Sequence, residues 1–525
     1  MQKSIVLDGK SLALEILYYF SKCNPQKSPR VFLSKTAKIK IQKSQKYVAS
    51  LAKGSDAIYG VNTGFGLLSD IKIAPEKIQD LQINLLRSHA CGVGNPLSEG
   101  EARAALLLRA NTLSQGHSGC SLELVEMILK VLNAGLVPWI PEQGSVGASG
   151  DLAPLAHMAL LLIGEGKAYH RGKLLSGASA LKAVGLRPHK LQAKEGLALI
   201  NGTQIMTAIG ALVAWEAKKI ASIADIAGAM SLEAIKGTSK AFHPKIHELR
   251  PHKEQKQVAE NMRLLLAKSA IAESHKNCGK VQDPYSFRCI PQVHGAARHM
   301  IDSSLPILET EANSVTDNPL VFLPKDLNNK GSGPDGGEII SGGNFHGEYI
   351  AMVMDALAIG LAEIANISDL RIQKLINPSM SGLPAFLTPD PGLNSGMMIV
   401  QVAAASLVSE NKILSHPASV DSIPTSADKE DHVSMGVTAA RKARQILSNT
   451  KNVLAMEFLC AAQGMDFHKP LRAGLGVQSA YEIIRKKIKF ANKDRAFHKD
   501  IEIIRAMIDD GSLLQSVIQK IPSLH

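Results

Sequence analysis

The pattern of apolar and polar positions changes near residue 200. Up to that point, short apolar stretches alternate with glycine- and proline-rich turns such as YGVNTGFG, CGVGNP and GHSGCS, which predict short helices joined by loops. Beyond it, four stretches are apolar nearly all round: 203–235, 348–376, 395–414 and 434–463. Because helices without a polar face are normally buried in a bundle or between subunits, we expect a homo-oligomer. The predicted domains are a smaller one of short helices over 1–200 and a long-helix bundle over 201–525, with PKDLNNKGSGPDGGE (324–338) as a loop.

Composition and charge narrow the class of protein. Hydrophobic residues make up 45% and charged residues 20% of the 525 positions, as in globular proteins. Aromatic residues are only 4% and alanine-rich stretches recur, which favours closely packed helices over sandwiches or barrels. The net charge is +12, but the densest basic runs, Lys35–Lys46 and Arg485–Lys489, lack interleaved aromatic residues. We interpret them as solvated helix faces and expect no nucleic-acid partner.

Cysteine usage and hydropathy indicate the compartment. The six cysteines are widely spaced without a CxxC pair, which favours a reduced cytosolic chain over a disulfide framework. Charges interrupt the N-terminal segment before a signal-peptide core can form. Asp355, Glu363 and Gln401 interrupt the two most apolar helices, so no uninterrupted membrane span is predicted. We expect a soluble, cytoplasmic protein without a membrane partner.

Several common binding motifs are incomplete. Gly64-Phe65-Gly66 and Gly92-Val93-Gly94 lack the third glycine of a dinucleotide fingerprint. His247-Glu248 begins like a zinc-binding helix, but Pro251 stands where the second histidine is required. Dinucleotide and zinc chemistry are therefore unsupported, and we expect no metal.

The segment GSVGASGDLAPL, at Gly144–Leu155, is the most unusual part of the sequence. Asp151 is expected to cap the helix that follows. One interpretation is a glycine-rich helix entry and nothing more. The other is covalent: if the Ala148 carbonyl met the Gly150 nitrogen, the backbone would cyclise and lose two waters, and Ser149 would become a dehydrated electrophile. Glycine suits this position because a side chain would obstruct the close backbone approach.

Ala148-Ser149-Gly150 within this segment strongly resembles the aromatic amino acid ammonia-lyases, in which the triad forms a 4-methylidene-imidazol-5-one (MIO) group autocatalytically. Six further blocks match that family in family order: YGVNTGFG, LLRSHACGVG, GLALINGTQ, VQDPYSFRC, GNFHGE and HPASVDSIPTSADKEDHVSM. The resemblance covers nearly the whole chain. It implies a mainly α homotetramer with composite active sites, MIO formed from Ala148, Ser149 and Gly150, and no external cofactor.

The resemblance also implies roles for individual residues. Tyr59 matches the base that removes the β-proton, which requires the site to lower its pKa, and Arg288 matches the arginine that holds the substrate carboxylate. Tyr285 is expected to polarise the MIO or assist at the amino group. The remaining expected site residues are a lining donor, a contact to MIO and substrate, and an aromatic pocket wall: Gln282, Asn201 and Phe345. Alone, Tyr59 would be interpreted as a packed tyrosine and Arg288 as a member of a surface ion pair. For Phe345, an ordinary core phenylalanine stays a serious alternative.

Two positions distinguish substrates within the family. Ser88-His89 and Glu430 match the histidine-specific pattern, in which the imidazole and the carboxylate hydrogen-bond the substrate ring. Against a phenyl ring, Glu430 would be an unpaired buried charge. Lys429 departs from that pattern, which has glutamine there, and it either pairs with Glu430 or points to solvent. The resemblance thus implies elimination of ammonia from L-histidine to give trans-urocanate.

Two other functions stay open. The nearer one is another MIO enzyme, a tyrosine or phenylalanine ammonia-lyase or an aminomutase, which product analysis would reveal. The other is a catalytically silent helical scaffold with a basic surface that binds a polyanion. The intact triad, with Tyr59 and Arg288, argues against the scaffold.

Overall fold

The computed structural model describes residues 4–54, 56–276, 279, 281–326, 331 and 336–525. Cys278 and most of the predicted loop 324–338 lie outside the described residues. The chain forms two compact units of three segments each: a first unit of 1–215, 305–355 and 417–441, and a second unit of 216–304, 356–416 and 442–525. The first unit thus takes segments from both predicted domains, 1–200 and 201–525, and that two-domain division stays a prediction.

Helices dominate the architecture, with 59% of the residues helical, which confirms the mainly-α prediction. In chain order, α1 to α21 are Leu14–Lys22, Lys35–Leu51, Ile78–His89, Glu99–Leu113, Leu122–Asn133, Leu152–Leu160, Gly177–Ala183, Glu195–Ile200, Gln204–Ala234, Pro244–Glu248, Lys253–Leu265, Ala270–Glu273, Tyr285–Arg288, Ile290–Ala312, Glu348–Ile376, Pro378–Ser381, Met398–Leu414, Gly436–Asp466, Leu475–Lys487, His498–Asp509 and Ser512–Ile518. The four long apolar stretches form α9, α15, α17 and α18, as predicted.

Short strands accompany the helices of the first unit, and the sequence analysis did not predict them. In chain order, β1 to β9 are Ser4–Leu7, Arg30–Leu33, Val93–Pro96, Val137–Pro138, Pro141–Gln143, Lys167–His170, Lys173–Ser176, Leu320–Phe322 and Glu338–Ile340. β1 and β2 pair in parallel, β3 with β5 and β8 with β9 pair antiparallel, and β4, β6 and β7 form a three-stranded sheet. Strands this short show no alternation long enough to recognise.

Helix α15 is long and apolar enough to cross a membrane by length and composition, and no other helix among the described residues passes that test. Its most apolar window is 67% buried inside the chain, as in the core helix of a globular fold. The buried Asp355 within it accepts hydrogen bonds from the backbone N–H groups of Ala418 and Ser419, each at 2.8 Å. This interrupting acid therefore holds a neighbouring loop.

Candidate active site

A cavity of about 640 Å³ opens in the first unit and is called the main cavity below. Seven predicted site residues line it: Tyr59, His89, Ala148, Ser149, Asn201, Phe345 and Glu430. They come from helix ends and loops that are far apart in sequence. Gly150 lines a cavity of about 310 Å³ that shares Ser149 and Glu430 with the main cavity. Folding thus places eight predicted residues around the Ala148-Ser149-Gly150 triad.

Three predicted residues belong to the second unit and are not among those that line the main cavity. Tyr285 and Arg288 form the short helix α13, and the Arg288 guanidinium lies 4.4 Å from the centroid of the Tyr285 ring. Tyr285 is 71% exposed, and the buried Nε of Arg288 has no hydrogen-bond partner among the described residues. Gln282 lines a separate cavity of the second unit.

The backbone of the triad is fixed against the segment that joins α8 to α9. The Asn201 side-chain amide donates a hydrogen bond to the Ser149 carbonyl oxygen at 2.8 Å. Gly150 has a φ of +76°, and a Cβ there would overlap the Gly202 carbonyl. The next residue, Asp151, donates its N–H to that same carbonyl at 2.7 Å. Only glycine fits at position 150, because it combines a left-handed conformation with contact to another backbone.

Asp151 caps a different helix from the one predicted. It stands at the N-cap position of α6, but its side chain makes no capping hydrogen bond there. Its Oδ2 instead accepts the N–H groups of Ile205 and Met206 at 2.8 and 3.0 Å, and Ser145 Oγ donates to its Oδ1 at 3.1 Å. The carboxylate therefore satisfies free N–H groups at the start of α9 and ties the triad loop to that helix.

Burial raises the pKa of Asp151 to about 7, against the hydrogen bonds it accepts. A carboxyl group whose pKa is higher in the folded than in the unfolded chain destabilises the fold as it ionises, so stability falls as pH rises from about 4 to about 7. Asp151→Asn keeps an acceptor without the charge. We expect the apparent melting temperature of wild type to fall more between about pH 5 and about pH 8 than that of the variant, as measured by scanning fluorimetry. Parallel pH dependences would contradict this.

Glu430 faces the triad as an ionised carboxylate. Its Oε1 accepts a 2.6 Å hydrogen bond from Ser149 Oγ, and its Oε2 accepts from Thr425 and Ser426 at 2.7 and 2.8 Å. Burial acts to raise the pKa of Glu430, but these hydrogen bonds outweigh it and the pKa is lowered. Burial lowers the pKa of His89, which favours its neutral imidazole. A negative acceptor and a neutral imidazole therefore share the cavity wall.

Tyr59 is half-buried in the same cavity, and its electrostatics differ from the prediction. Burial raises its pKa, the negative charge of Glu430 raises it further, and a hydrogen bond from the Gly66 backbone offsets only part of this. The expectation that the site lowers this pKa is wrong for the groups that surround Tyr59 in the structure. Both effects disfavour the phenolate, because each makes a second negative charge harder to place.

Phe345 and Lys429 are the two residues for which the sequence left alternative positions open. Phe345 is half-buried just before α15 and lines the main cavity, as an aromatic pocket wall requires. Lys429 is exposed and also lines the main cavity, and within the described part of the chain no ion pair joins it to Glu430. Of the two positions considered for Lys429, the ion pair with Glu430 is not formed, and the exposed lysine places a positive charge on the cavity wall.

Comparison with known proteins identifies the family. The model of the family described as aromatic amino acid lyase matches residues 22–486. The chain belongs to the aromatic amino acid lyase family. It is 51% identical over 513 residues to a histidine ammonia-lyase from Myxococcus xanthus (strain DK1622), covering 98% of each chain.

Solved structures of aromatic amino acid lyases and related enzymes share the fold. The crystal structure of a histidine ammonia-lyase from Trypanosoma cruzi matches with a TM-score of 0.89 and 43% identity, covering 98% of this chain and 95% of that one. A tyrosine aminomutase from Streptomyces globisporus matches with a TM-score of 0.89 and 36% identity, covering 98% and 99%. The resemblance recognised from the motifs is confirmed.

Aromatic amino acid lyases depend in general on MIO, and the triad of this chain fits that group. The Gly150 backbone lies where no Cβ could stand, Asn201 holds the Ser149 carbonyl, and the Ser149 hydroxyl points at Glu430. The loop is thus held at every residue that would enter the ring. Ala148 is buried beside Val433 and Met435, which shields the triad from that side.

Sequence reasoning missed two groups of polar residues at the main cavity. Thr425 and Ser426 hold Glu430, and only the hydroxyl-rich run SIPTSADKE hinted at them. His346 and His432 line the cavity, and with Glu348 they bring three donor atoms close together. No sequence spacing indicates this second group, because His432 lies far along the chain from the other two.

Proposed function

We propose that this aromatic amino acid lyase eliminates ammonia from L-histidine without oxidation and releases trans-urocanate. The placement of ionised Glu430 beside Ser149, with His89 on the same cavity, carries the proposal. The Oε1 of this carboxylate can accept the imidazole N–H of the substrate once the Ser149 hydroxyl has left, whereas a phenyl ring offers no donor to that oxygen. The name of the relative from Myxococcus xanthus supports the same substrate.

We propose that the triad matures by backbone cyclisation. The Gly150 nitrogen bonds to the Ala148 carbonyl carbon. That carbonyl oxygen leaves as water with the N–H hydrogens of Gly150 and Ser149, and a C=N double bond forms between the Ala148 carbon and the Ser149 nitrogen. The Ser149 hydroxyl leaves as a second water together with the Cα hydrogen of the same residue. Asn201, which donates to the Ser149 carbonyl, withdraws electron density and makes that Cα hydrogen more acidic. The mature group supplies an electrophilic carbon that turns the substrate amino group into a leaving group.

The other roles concern binding and proton transfer. We propose that Arg288 holds the substrate carboxylate by two parallel hydrogen bonds, since its guanidinium carries an unpartnered buried Nε. Tyr285 assists at the amino group, and Gln282 supplies a further donor. Phe345 packs against the substrate ring. Tyr59 removes the β-proton, and a positive charge such as the substrate ammonium is needed to offset the burial that raises its pKa.

We propose a homotetramer in which Gln282, Tyr285 and Arg288 serve the main cavity of a neighbouring subunit. Their absence from the lining of that cavity in one chain supports this. Large apolar side chains are also exposed on α15 and α17, as expected of surfaces that another copy covers: Tyr349, Met352, Ile359, Ile399 and Val402.

Free cysteines support a reducing, cytoplasmic location: Cys23, Cys91, Cys120, Cys289 and Cys460.

Glu430→Gln tests whether the carboxylate of Glu430 recognises the ring of the substrate. Losing a hydrogen bond to a charged acceptor is worth about 1.5–3 kcal/mol, so we expect kcat/KM for L-histidine to fall about 10- to 100-fold. Elimination from L-phenylalanine, which has no ring N–H to bind, should not fall. The matched control is the same change at an exposed residue of α5 that does not line the cavity, Glu123→Gln, which should change kcat/KM less than about threefold. An equal loss on both substrates would contradict a role in ring recognition.

A further inference from the structure

A second cluster of donor groups lies on the wall of the main cavity. His346 and Glu348 stand at the start of α15, and His432 follows Glu430 in the loop before α18. One donor atom from each of the three lies within 4.8 Å of the others. The Oε2 of Glu348 is buried without a hydrogen-bond partner among the described residues. A buried carboxylate oxygen in that state is destabilising unless a cation or donor reaches it.

The donor set matches the preferences of a borderline transition metal. Two imidazoles and one carboxylate are ligands for Zn²⁺, with bonds of about 2.0–2.2 Å and neighbouring ligand atoms about 3.4 Å apart in a tetrahedron. His432 is exposed, so rotation of its ring can bring its donor atom from within 4.8 Å of the other two to the spacing that a bound ion requires. A ring nitrogen of His346 lies 3.3 Å from the His432 carbonyl oxygen. A backbone partner of this kind fixes the tautomer and leaves the other ring nitrogen as an acceptor.

We propose that His346, Glu348 and His432 form a binding site for a divalent transition-metal ion, represented by Zn²⁺, on the wall of the main cavity. The three protein ligands leave a fourth tetrahedral position open. It faces the cavity, since both histidines line it. Glu430, the exposed Asp431 and Lys429 line the same cavity, so two negative charges and one positive charge leave a net negative charge that favours a cation.

The site predicts inhibition by the ion, and this step rests on the proposed lyase activity. The amino group of L-histidine would take the open position as a metal ligand. A metal-bound amino group has no lone pair left to react with an electrophile. The ion and productive substrate binding would therefore exclude each other.

Binding is tested with Co²⁺ on the chelator-treated, full-length protein, because tetrahedral Co²⁺ gives an intense visible absorption. We expect one ion per chain, and Zn²⁺ should displace it. Glu348→Gln and His432→Gln, which change separate segments, should each weaken binding by at least about 10- to 100-fold, the loss seen even for outer-shell partners. The control is His299→Gln, which removes an exposed histidine 3.5 Å from Glu254 in the second unit and should leave binding unchanged.

Two results would overturn the site: no Co²⁺ bound by the wild type at micromolar concentrations, or unchanged affinity in both folded variants, with folding checked by circular dichroism. Added Zn²⁺ should also inhibit histidine turnover in the wild type. Turnover without metal binding overturns this site alone, whereas metal binding without any turnover of histidine overturns the proposed function alone.

Discussion

Replacing Ser149 with alanine is expected to abolish ammonia release, lowering kcat by at least about 10⁴-fold, the upper end of what one acid–base group contributes. Without Oγ there is no hydroxyl to leave and no electrophile can form. The helical fold should persist, because Ser149 contributes no buried apolar surface. Absorbance assays give the rate, circular dichroism the fold, and intact mass the state of the triad. The wild-type chain should be lighter than its sequence by two waters, and the variant should not.

The matched control for that experiment is Ser145→Ala. Ser145 lies in the same loop, and its hydroxyl contacts Asp151 Oδ1 at 3.1 Å and the Gly150 carbonyl oxygen at 3.4 Å, but none of its atoms would enter the ring. That variant should keep the loss of two waters. Near-wild-type turnover by Ser149→Ala would contradict the account, as would a Ser145→Ala chain that stays unmodified while Ser149→Ala matures.

Tyr59→Phe is expected to lower kcat/KM by about 10²- to 10⁴-fold, the usual contribution of a positioned acid–base group. The ring keeps its edge-on contact with Phe65, whose centroid lies 6.4 Å away, so the pocket should keep its shape. The intact mass should still show the loss of two waters, because Tyr59 acts on the substrate. A variant that turns over histidine normally would remove Tyr59 from the mechanism.

The pH dependence gives an independent check on the same tyrosine. A base works deprotonated, so kcat/KM should rise with pH through the pKa of Tyr59. The charge of Glu430 raises that pKa, and Glu430→Gln should therefore move the rising limb to lower pH. The limb should vanish in Tyr59→Phe. Its persistence there, or an upward shift in Glu430→Gln, would assign it to another group.

The sequence predicted what is encoded by periodicity and by ordered motifs. Helices α9, α15 and α18 follow from long apolar stretches, and the triad with Tyr59, Asn201 and Glu430 follows from recognisable blocks that folding gathers around the main cavity. The short strands could not be predicted, because two to four residues carry no readable alternation.

The electrostatic details also depended on the fold. Whether Asp151 caps α6 or α9 depends on which free backbone N–H groups lie near its carboxylate. The start of α9 is far from Asp151 in sequence and is brought to it only by folding. The pKa of Tyr59 is raised by its burial and by the nearby charge of Glu430. Neither can be read from the residues next to Tyr59 in the sequence. Thr425 and Ser426 are ordinary loop residues until the loop places their hydroxyls on one carboxylate oxygen.

Substrate choice is measured by ultraviolet monitoring of the purified protein with L-histidine, L-tyrosine and L-phenylalanine in parallel cuvettes. We expect trans-urocanate from L-histidine and no comparable product from the other two amino acids. Cinnamate-type products or β-amino acids in place of urocanate would contradict the assignment of Glu430 and His89 as the groups that select the substrate.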